Sequence, residues 1–301
     1  MKRLNKMRLI PLLLTLLLLV MMAAPASVMA AEPTVNLGTT SSFAVLAGTT
    51  ITNTGPTTIS GSLPEGGGNV GLYAGTAFTG QADVTMTGWT AHINDPTTIQ
   101  ATADLVTAYD DAAGRTPFTT IGRELGGQTL KPGYYHSDSG FLITGTLTLD
   151  AQGDPDGVFV FQTGSSTLIT ASGSNVVLTR SARYCRVFWQ VGSSATLGTN
   201  SHFVGHIFAL TSIAAQTGAT VQGQLLARNG AVTLHTNTII NGLCITPVSN
   251  GSAGTNGSAG TNGGANSKTG DSSMNTEIIL LVLAAISAVV VFVTRKKVTN
   301  K

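Results

Sequence analysis

The chain has 301 residues, of which 36 are Gly, 10 % are charged and 6 % are aromatic. Average proteins carry roughly 25 % charged residues, so disorder driven by charge repulsion is excluded, and Gly without a three-residue period excludes collagen. The formal charge of +2 belongs to the ends: between residues 32 and 267 seven basic residues face twelve carboxylates, a balance of about −5, which leaves no basic patch to neutralise phosphates and excludes nucleic acid as a partner.

At the N-terminus Lys2, Arg3, Lys6 and Arg8 precede an apolar run over 9–22 and then the small residues Val28, Met29, Ala30 and Ala31. That order is a secretory signal peptide, residues 1–30, cut after Ala30. Pro25 and the small residues after the short run speak against a retained membrane helix. The body that follows, 31–247, is long enough for a single large core. One stretch of it reads as a long helix. Asp95 caps, Pro96 takes the first helical position, Ile99, Ala103, Val106 and Ala113 mark an apolar stripe, and Gly114 ends it. The rest is rich in Thr, Val, Ile, Leu and Gly, with short alternating runs such as 142–149 (LITGTLTL), which is strand composition.

The second half of the body repeats. The stretches 199–205 (TNSHFVG), 217–223 (TGATVQG) and 236–242 (TNTIING) share Thr at the first position and Gly at the seventh, and a hydrophobic strand follows each. Periods near 20 residues point to a solenoid whose coils bury their apolar positions only by stacking. Three short strands per coil, turned by Gly, give a mainly β fold, a β-helix. A helix cannot continue such a stack, so it lies along one flank. The less regular segment 34–80 forms an end coil and cap, which end coils need to protect their strand edges.

Residues 248–267 are almost wholly Gly, Ser, Ala, Thr and Asn and form a flexible linker. Beyond it, 268–301 holds Lys268, Thr269 and Gly270, an apolar run over 278–293, and Arg295, Lys296 and Lys297. Motif, apolar segment and basic tail in that order resemble a Gram-positive cell-wall sorting signal, in which sortase cleaves between Thr and Gly. Ser267 stands where that family has Pro; a plain membrane tail anchor is the alternative. Either reading secretes the body and holds it at the outer cell surface, with peptidoglycan or membrane as the anchoring partner.

The stretches 36–48 (NLGTTSSFAVLAG), 51–57 (ITNTGPT), 130–135 (LKPGYY), 147–153 (LTLDAQG), 158–162 (VFVFQ), 187–199 (VFWQVGSSATLGT) and 225–234 (LLARNGAVTL) together resemble the microbial ice-binding protein family, the DUF3494 type. The resemblance implies a discontinuous β-helix of triangular section, a helix packed alongside, and one flat face that binds ice without a cofactor. It makes the ice lattice the partner of a monomeric, non-enzymatic domain.

Ice offers a lattice of water and no charge, so a usable face is flat, rigid and nearly uncharged. Thr suits it: the methyl orders water, the hydroxyl anchors that water, and the β-branched side chain is already restricted. The column Thr199, Thr217 and Thr236 supplies one ladder, with Thr170 starting it one coil earlier. Ser201, Ala219 and Thr238, two residues on, point to the same side. Thr217 to Thr220 matches the T-A/G-x-T/N motif of some family members, as do Thr54 to Thr57 and Thr87 to Thr90, although the last two also read as turns. His202 and Ile239 align with Thr220 and interrupt the ladder.

Two rival classes are a surface adhesin for polysaccharide or host surfaces and a polysaccharide-degrading enzyme. Asp150, Asp154 and Asp156 read as a Gly/Pro/Asp turn rather than a calcium site. His202, His206 and His235 come near one another across coils only without Cys or acid at ligand spacing, so no metal is expected. Arg180, Arg183 and Arg186 read as the solvated side of a strand, and Trp189 as core. Cys185 and Cys244 fall about three coils apart, near 14 Å, beyond the 7 Å limit of a disulfide, so free buried thiols are expected.

Overall fold

In a computed structural model of the chain the described residues are 32–62, 66–242 and 244; the signal, linker and anchor assigned above lie outside them. The chain parts into two compact units, Met1–Ser249 and Asn250–Lys301, and every described residue belongs to the first.

Parallel pairing cannot be made by a hairpin, so a chain of strands this short must wind to bring like edges together. Every strand ladder among the described residues is parallel. Ala195 pairs with Ile213 and Ile213 with Val232, so the chain returns to the same stack after 18 and then 19 residues. Seven strands form a sheet of their own, in the spatial order Phe141–Ile143, Leu168–Thr170, Ala195–Leu197, Ile213–Ala215, Val232–His235, Thr50–Thr54 and Ala77–Thr79. The other fifteen form a branched sheet. Its branch points are the eight-residue strands His202–Ala209 and Thr220–Ala227, which bend at Gly205 and Gly223 (φ +111° and +142°). A Cβ on Gly223 would lie 2.1 Å from the Gly205 carbonyl oxygen; the bend needs Gly in both coils.

The first halves of these two strands belong to an open stack with Thr129–Leu130, Thr146–Asp150, Asn175–Thr179, Thr238–Asn241, Thr57–Gly61 and Val84–Met86. The second halves belong to a stack with Thr119–Thr120, Gly133–His136, Phe159–Gln162, Val187–Val191, Phe43–Ala47, Asn69–Leu72 and Ala91–Ile93. In both, as in the seven-stranded sheet, spatial order departs from chain order. Phe43–Ala47 pairs with Thr220–Ala227, and Thr50–Thr54 with Val232–His235. The N-terminal coils therefore sit on the C-terminal one, and the strand Phe43–Ala47 completes the coil that Val232–His235 and Thr238–Asn241 begin.

The helix, Pro96–Gly114, carries the chain back from the last N-terminal strand, Ala91–Ile93, to Thr119–Thr120 at the other end of the stack. Nineteen residues rise about 28 Å, some six strand spacings, which is why one long helix does this. Asp95 accepts from the Thr98 amide at 2.9 Å and Thr98 answers in a capping box. The buried stripe differs from the expected one. Ala101, Leu105, Ala108, Tyr109 and Ala112 face the strands, while Ile99 is 46 % exposed and Ala103 and Ala113 face outward. The three inward Ala let the axis approach Phe43, Leu46, Phe188, Phe208 and Leu226, which the β-branched Ile99 and Val106 at those positions would not. Polar bonds fix the helix: Gln162 Nε2 donates to the Ala112 carbonyl at 2.7 Å, and Gln190 Nε2 to the Tyr109 hydroxyl at 2.7 Å.

The larger core lies between the stacks. Trp189 is fully buried there, as expected, stacked on Phe161 at 3.9 Å between ring centroids, its Nε1 donating to the Val204 carbonyl at 3.0 Å.

Cys185 and Cys244 are joined in a disulfide with Cα atoms 5.6 Å apart, which corrects the expectation of free thiols. The spacing argument put both in one column of the stack. In fact the turn Tyr184–Arg186 lies over the two branching strands, which run through that corner without a loop. After Asn241 the chain cannot continue the coil, because Phe43–Ala47 occupies that place. Gly242 lies beside Tyr184, whose hydroxyl donates to the Gly242 carbonyl.

Candidate functional site

In the seven-stranded sheet alternate residues point away from the core, and pairing sets them in rows one strand spacing, about 4.8 Å, apart. The central row is Leu142, Ile169, Thr196, Ala214, Thr233, Thr52 and Thr79. Before it runs Ser194, Ser212, Ala231, Thr50 and Ala77; after it, Gln216, His235 and Thr54. Within the seven strands these rows hold no Asp, Glu, Lys or Arg; beyond the edge strand, Glu124 bridges Leu142 and puts a carboxylate at the end of the central row. From Leu142 to Thr52 each central side chain is half-buried by its neighbours, so the surface is level. The hydroxyls of Thr52, Thr196 and Thr233 make no hydrogen bond among the described residues. Two Ser hydroxyls at the border are tied: Ser194 Oγ lies 2.6 Å from Thr211 Oγ1, and Ser212 Oγ accepts from the Ala231 amide at 3.1 Å.

The open stack is rougher. Its outward row is Thr146, Asn175, His202, Thr220, Thr238, Thr58 and Thr85, with His202 Nδ1 2.7 Å from Thr220 Oγ1. The next row raises Val177 and Ile240, 40 % and 45 % exposed, beside Gln222. Asp150, on the same stack, pairs with Arg180, whose guanidinium holds the Asp150 carboxyl below its usual range. The third stack is covered by the helix.

The Thr residues singled out from sequence divide between these places. Thr199 and Thr217 are exposed and adjacent, at the corner where the seven-stranded sheet passes into the open stack, and Thr54 is exposed on the sheet's own edge. Thr236 does not share their column. It takes the left-handed corner conformation (φ +51°) of Asn200 and Gly218 (+54° and +72°), and His235 pairs with Thr54. Its turn is one residue shorter than the one before Thr220. Thr238 accordingly pairs with Thr220, which itself pairs with His202, and Ile239 pairs with buried Val221. That removes one of the two interruptions of the ladder and adds Thr58 and Thr85 from the N-terminal coils and Asn175 and Thr146 from the coils before His202, which only the strand pairing reveals. Thr170, Ser201, Ala219 and Thr57 are buried: 4 %, 1 %, 0 % and 1 % exposed. Thr170 ends a strand, Thr57 begins one, and Ser201 and Ala219 immediately precede one; all four point inward at the corner, so none reaches the surface.

The remaining candidates are separated. His202 lies on the open stack, His206 under the chain's N-terminal segment on the helix-covered stack, and His235 on the edge of the seven-stranded sheet. Arg180, Arg183 and Arg186 follow the strand Asn175–Thr179 in a turn rather than forming its outer side. Arg186 pairs with Asp156 at 2.8 Å, so the Asp-rich turn and the Arg turn face each other. Among the described residues no three His, Cys, Asp or Glu side chains gather in a metal-binding group.

Residues 45–240 match the family model described as "Ice-binding-like". An ice-binding protein of Nostoc sp. (strain HG1) is 46 % identical over 213 residues, 70 % of this chain and 76 % of that one. The crystal structure of an ice binding protein from an Antarctic biological consortium superposes with a TM-score of 0.66 at 43 % identity, covering 70 % of this chain and 93 % of that one. For the ice-binding protein of the Antarctic ascomycete Antarctomyces psychrotrophicus the TM-score is 0.63 at 42 % identity, with 69 % and 98 % covered. With the parallel coils and the helix along them, these matches establish that the chain is a member of the ice-binding-like family.

Proposed function

We propose that the chain binds ice, and that the outward side of the seven-stranded sheet is the surface that meets it. The three stacks are read as the faces of a triangular β-helix, one covered by the helix, one rough and charge-bearing, and one level. The observation that carries the choice is the uncharged central row with free hydroxyls on Thr52, Thr196 and Thr233. Charged groups hold their own hydration shells and resist docking; Thr, Ser and Ala hold water weakly and in order. Strands fix the rows at one spacing, so the surface loses little freedom on adsorption and many weak contacts add. Thr54, Thr199 and Thr217 rim this surface, whereas Thr220 and Thr238 belong to the neighbouring face.

Thermal hysteresis and ice recrystallisation inhibition of the purified chain test the reading. Thr233→Tyr, which raises a ring in mid-row between Ala214 and Thr52, should weaken adsorption at least about tenfold, or ~1.4 kcal/mol. Thr220→Tyr on the open stack should leave it unchanged. Loss of activity with Thr220→Tyr alone would move the site to that face, and an inactive wild type would end the proposal.

Secretion of a monomer held at the outer surface through residues 268–301 belongs to the same reading. It rests on the sequence order of apolar run, Gly/Ser/Asn/Thr linker and basic tail. Fractionation of expressing cells, with protease shaving of intact cells, would settle it: a body that stays with cytosolic markers refutes it.

A further inference from the structure

The level face is assembled across a seam, because the strand Val232–His235 comes from the C-terminal end of the domain and its neighbour Thr50–Thr54 from the N-terminal end. At this seam the regular corner is broken. In the coils before it, a turn bond closes the corner: Ser174, Ser201 and Ala219 each donate their amide to the carbonyl three residues back. The turn before Thr238 is one residue shorter, and the Asn237 amide goes instead to Thr57 Oγ1 at 3.1 Å. Thr57 Oγ1 donates in turn to Asn53 Oδ1 at 2.7 Å, and Asn53 Nδ2 donates to the carbonyls of Gly55 and Gly80 at 2.9 and 3.1 Å. On the other side Asn237 Nδ2 donates to the carbonyls of Gln216 and Ala219 at 2.9 and 3.0 Å, while its Oδ1 accepts from the His235 amide at 2.6 Å. Asn53, Thr57 and Asn237 are 4 %, 1 % and 2 % exposed.

These three side chains form one hydrogen-bonded line through four successive coils, and two of the groups they hold, the Gln216 carbonyl and the His235 amide, belong to an outward row of the face. We infer that Asn53, Thr57 and Asn237 are positioning residues for the ice-facing sheet: out of reach of ice, they hold the strands on both sides of the seam in one plane and one register. Buried polar groups that are fully paired fix a unique geometry, and removing one partner leaves the others unsatisfied, so the strands must shift to recover bonds. A shift of a fraction of an ångström matters little to a core but spoils a surface that works by matching rows. The inference rests on the proposed choice of face.

The test uses the purified full chain with Thr57→Val, which keeps the shape and removes the hydroxyl, and Thr57→Ser, which restores it. Asn237→Ser is a second variant should Thr57→Val not fold. Activity is read near the freezing point, where circular dichroism establishes that each variant is folded. The Cys185→Ser/Cys244→Ser pair, which takes no part in the Asn53–Thr57–Asn237 hydrogen bonds, serves as a control for lost stability. Thr57→Val should need roughly tenfold more protein for the same recrystallisation inhibition, as expected when a preorganised surface loses register. Thr57→Ser should match the wild type, and the cysteine pair should keep full activity despite a lowered Tm. Folded Thr57→Val or Asn237→Ser with wild-type activity overturns the inference, as does equal loss in the cysteine pair. If Thr233→Tyr is inactive while Thr57→Val is not, the inference alone falls; if Thr233→Tyr is fully active, the choice of face falls first.

Discussion

The helix-covered stack and the seven-stranded sheet are built from the same kind of parallel strand, at the same spacing, yet one is sealed and the other bare. Under the helix the outward residues include Val160, Phe188, Phe208, Leu226 and Leu46; on the sheet they are mostly Thr, Ser and Ala. Burying a large apolar side chain is worth roughly 1.5–3 kcal/mol, so the first set repays the ordering of a helix with Leu105 and Tyr109 on its inner side. Small hydroxyl side chains offer no such return, and none of the described residues covers them. Which face the helix covers is thus decided by side-chain size on the outward rows.

The contrast can be broken from either side. Phe208→Ala, under the helix, should cost about 3–5 kcal/mol of stability and leave the ice activity of the folded fraction intact; Thr233→Tyr should do the reverse, with Tm unchanged. A Phe208→Ala variant that stays folded yet loses activity would mean that the two faces are coupled.

His206 sharpens the comparison by pH. Burial between Tyr184 and Phe188, opposed by Gln224, lowers its pKa from 6.5 to about 4. The unfolded chain takes up this proton near pH 6.5 and the folded chain does not. Its contribution is therefore complete above 6.5 and lost as pH falls toward 4, on the order of 3 kcal/mol. Melting curves across that window should slope in the wild type and flatten in His206→Phe.

Removing the disulfide with Cys185→Ser/Cys244→Ser should cost about 2–4 kcal/mol, since it closes a long loop. Reduction should reproduce the shift in Tm; an unchanged Tm would mean that the last coil is held by its strand bonds alone. The smallest effect belongs to the helix cap. Asp95→Ala should cost about 1 kcal/mol, read as a small fall in Tm without change in ice activity.

Much of this was legible in residues. Asp95 and Pro96 marked the helix start, and the Thr/Gly repeat marked the coils. The apolar stripe misled because the helix carries two at nearly the same period, and Ile99 belongs to the one that packing rejected in favour of close approach by Ala101, Ala108 and Ala112. The Thr column slipped at Thr236 because a shortened turn, invisible to an alignment anchored on Thr and Gly, is absorbed in the structure by Asn237. The rows of the sheet itself were missed, since Thr233 and Thr52 are far apart in sequence and become neighbours only when the ends of the domain meet.

What the residues determined alone is everything local: strand composition, the capped helix, turns where Gly or Asn must take positive φ, and a body poor in charge. These follow from backbone sterics and side-chain chemistry within a few positions. The tertiary structure decided the order of the coils, the pairing of Cys185 with Cys244, and which of three similar stacks the helix covered. Each of those depends on contacts between residues tens to hundreds of positions apart, where the stability gained by burial and pairing, rather than any local preference, chooses the partner.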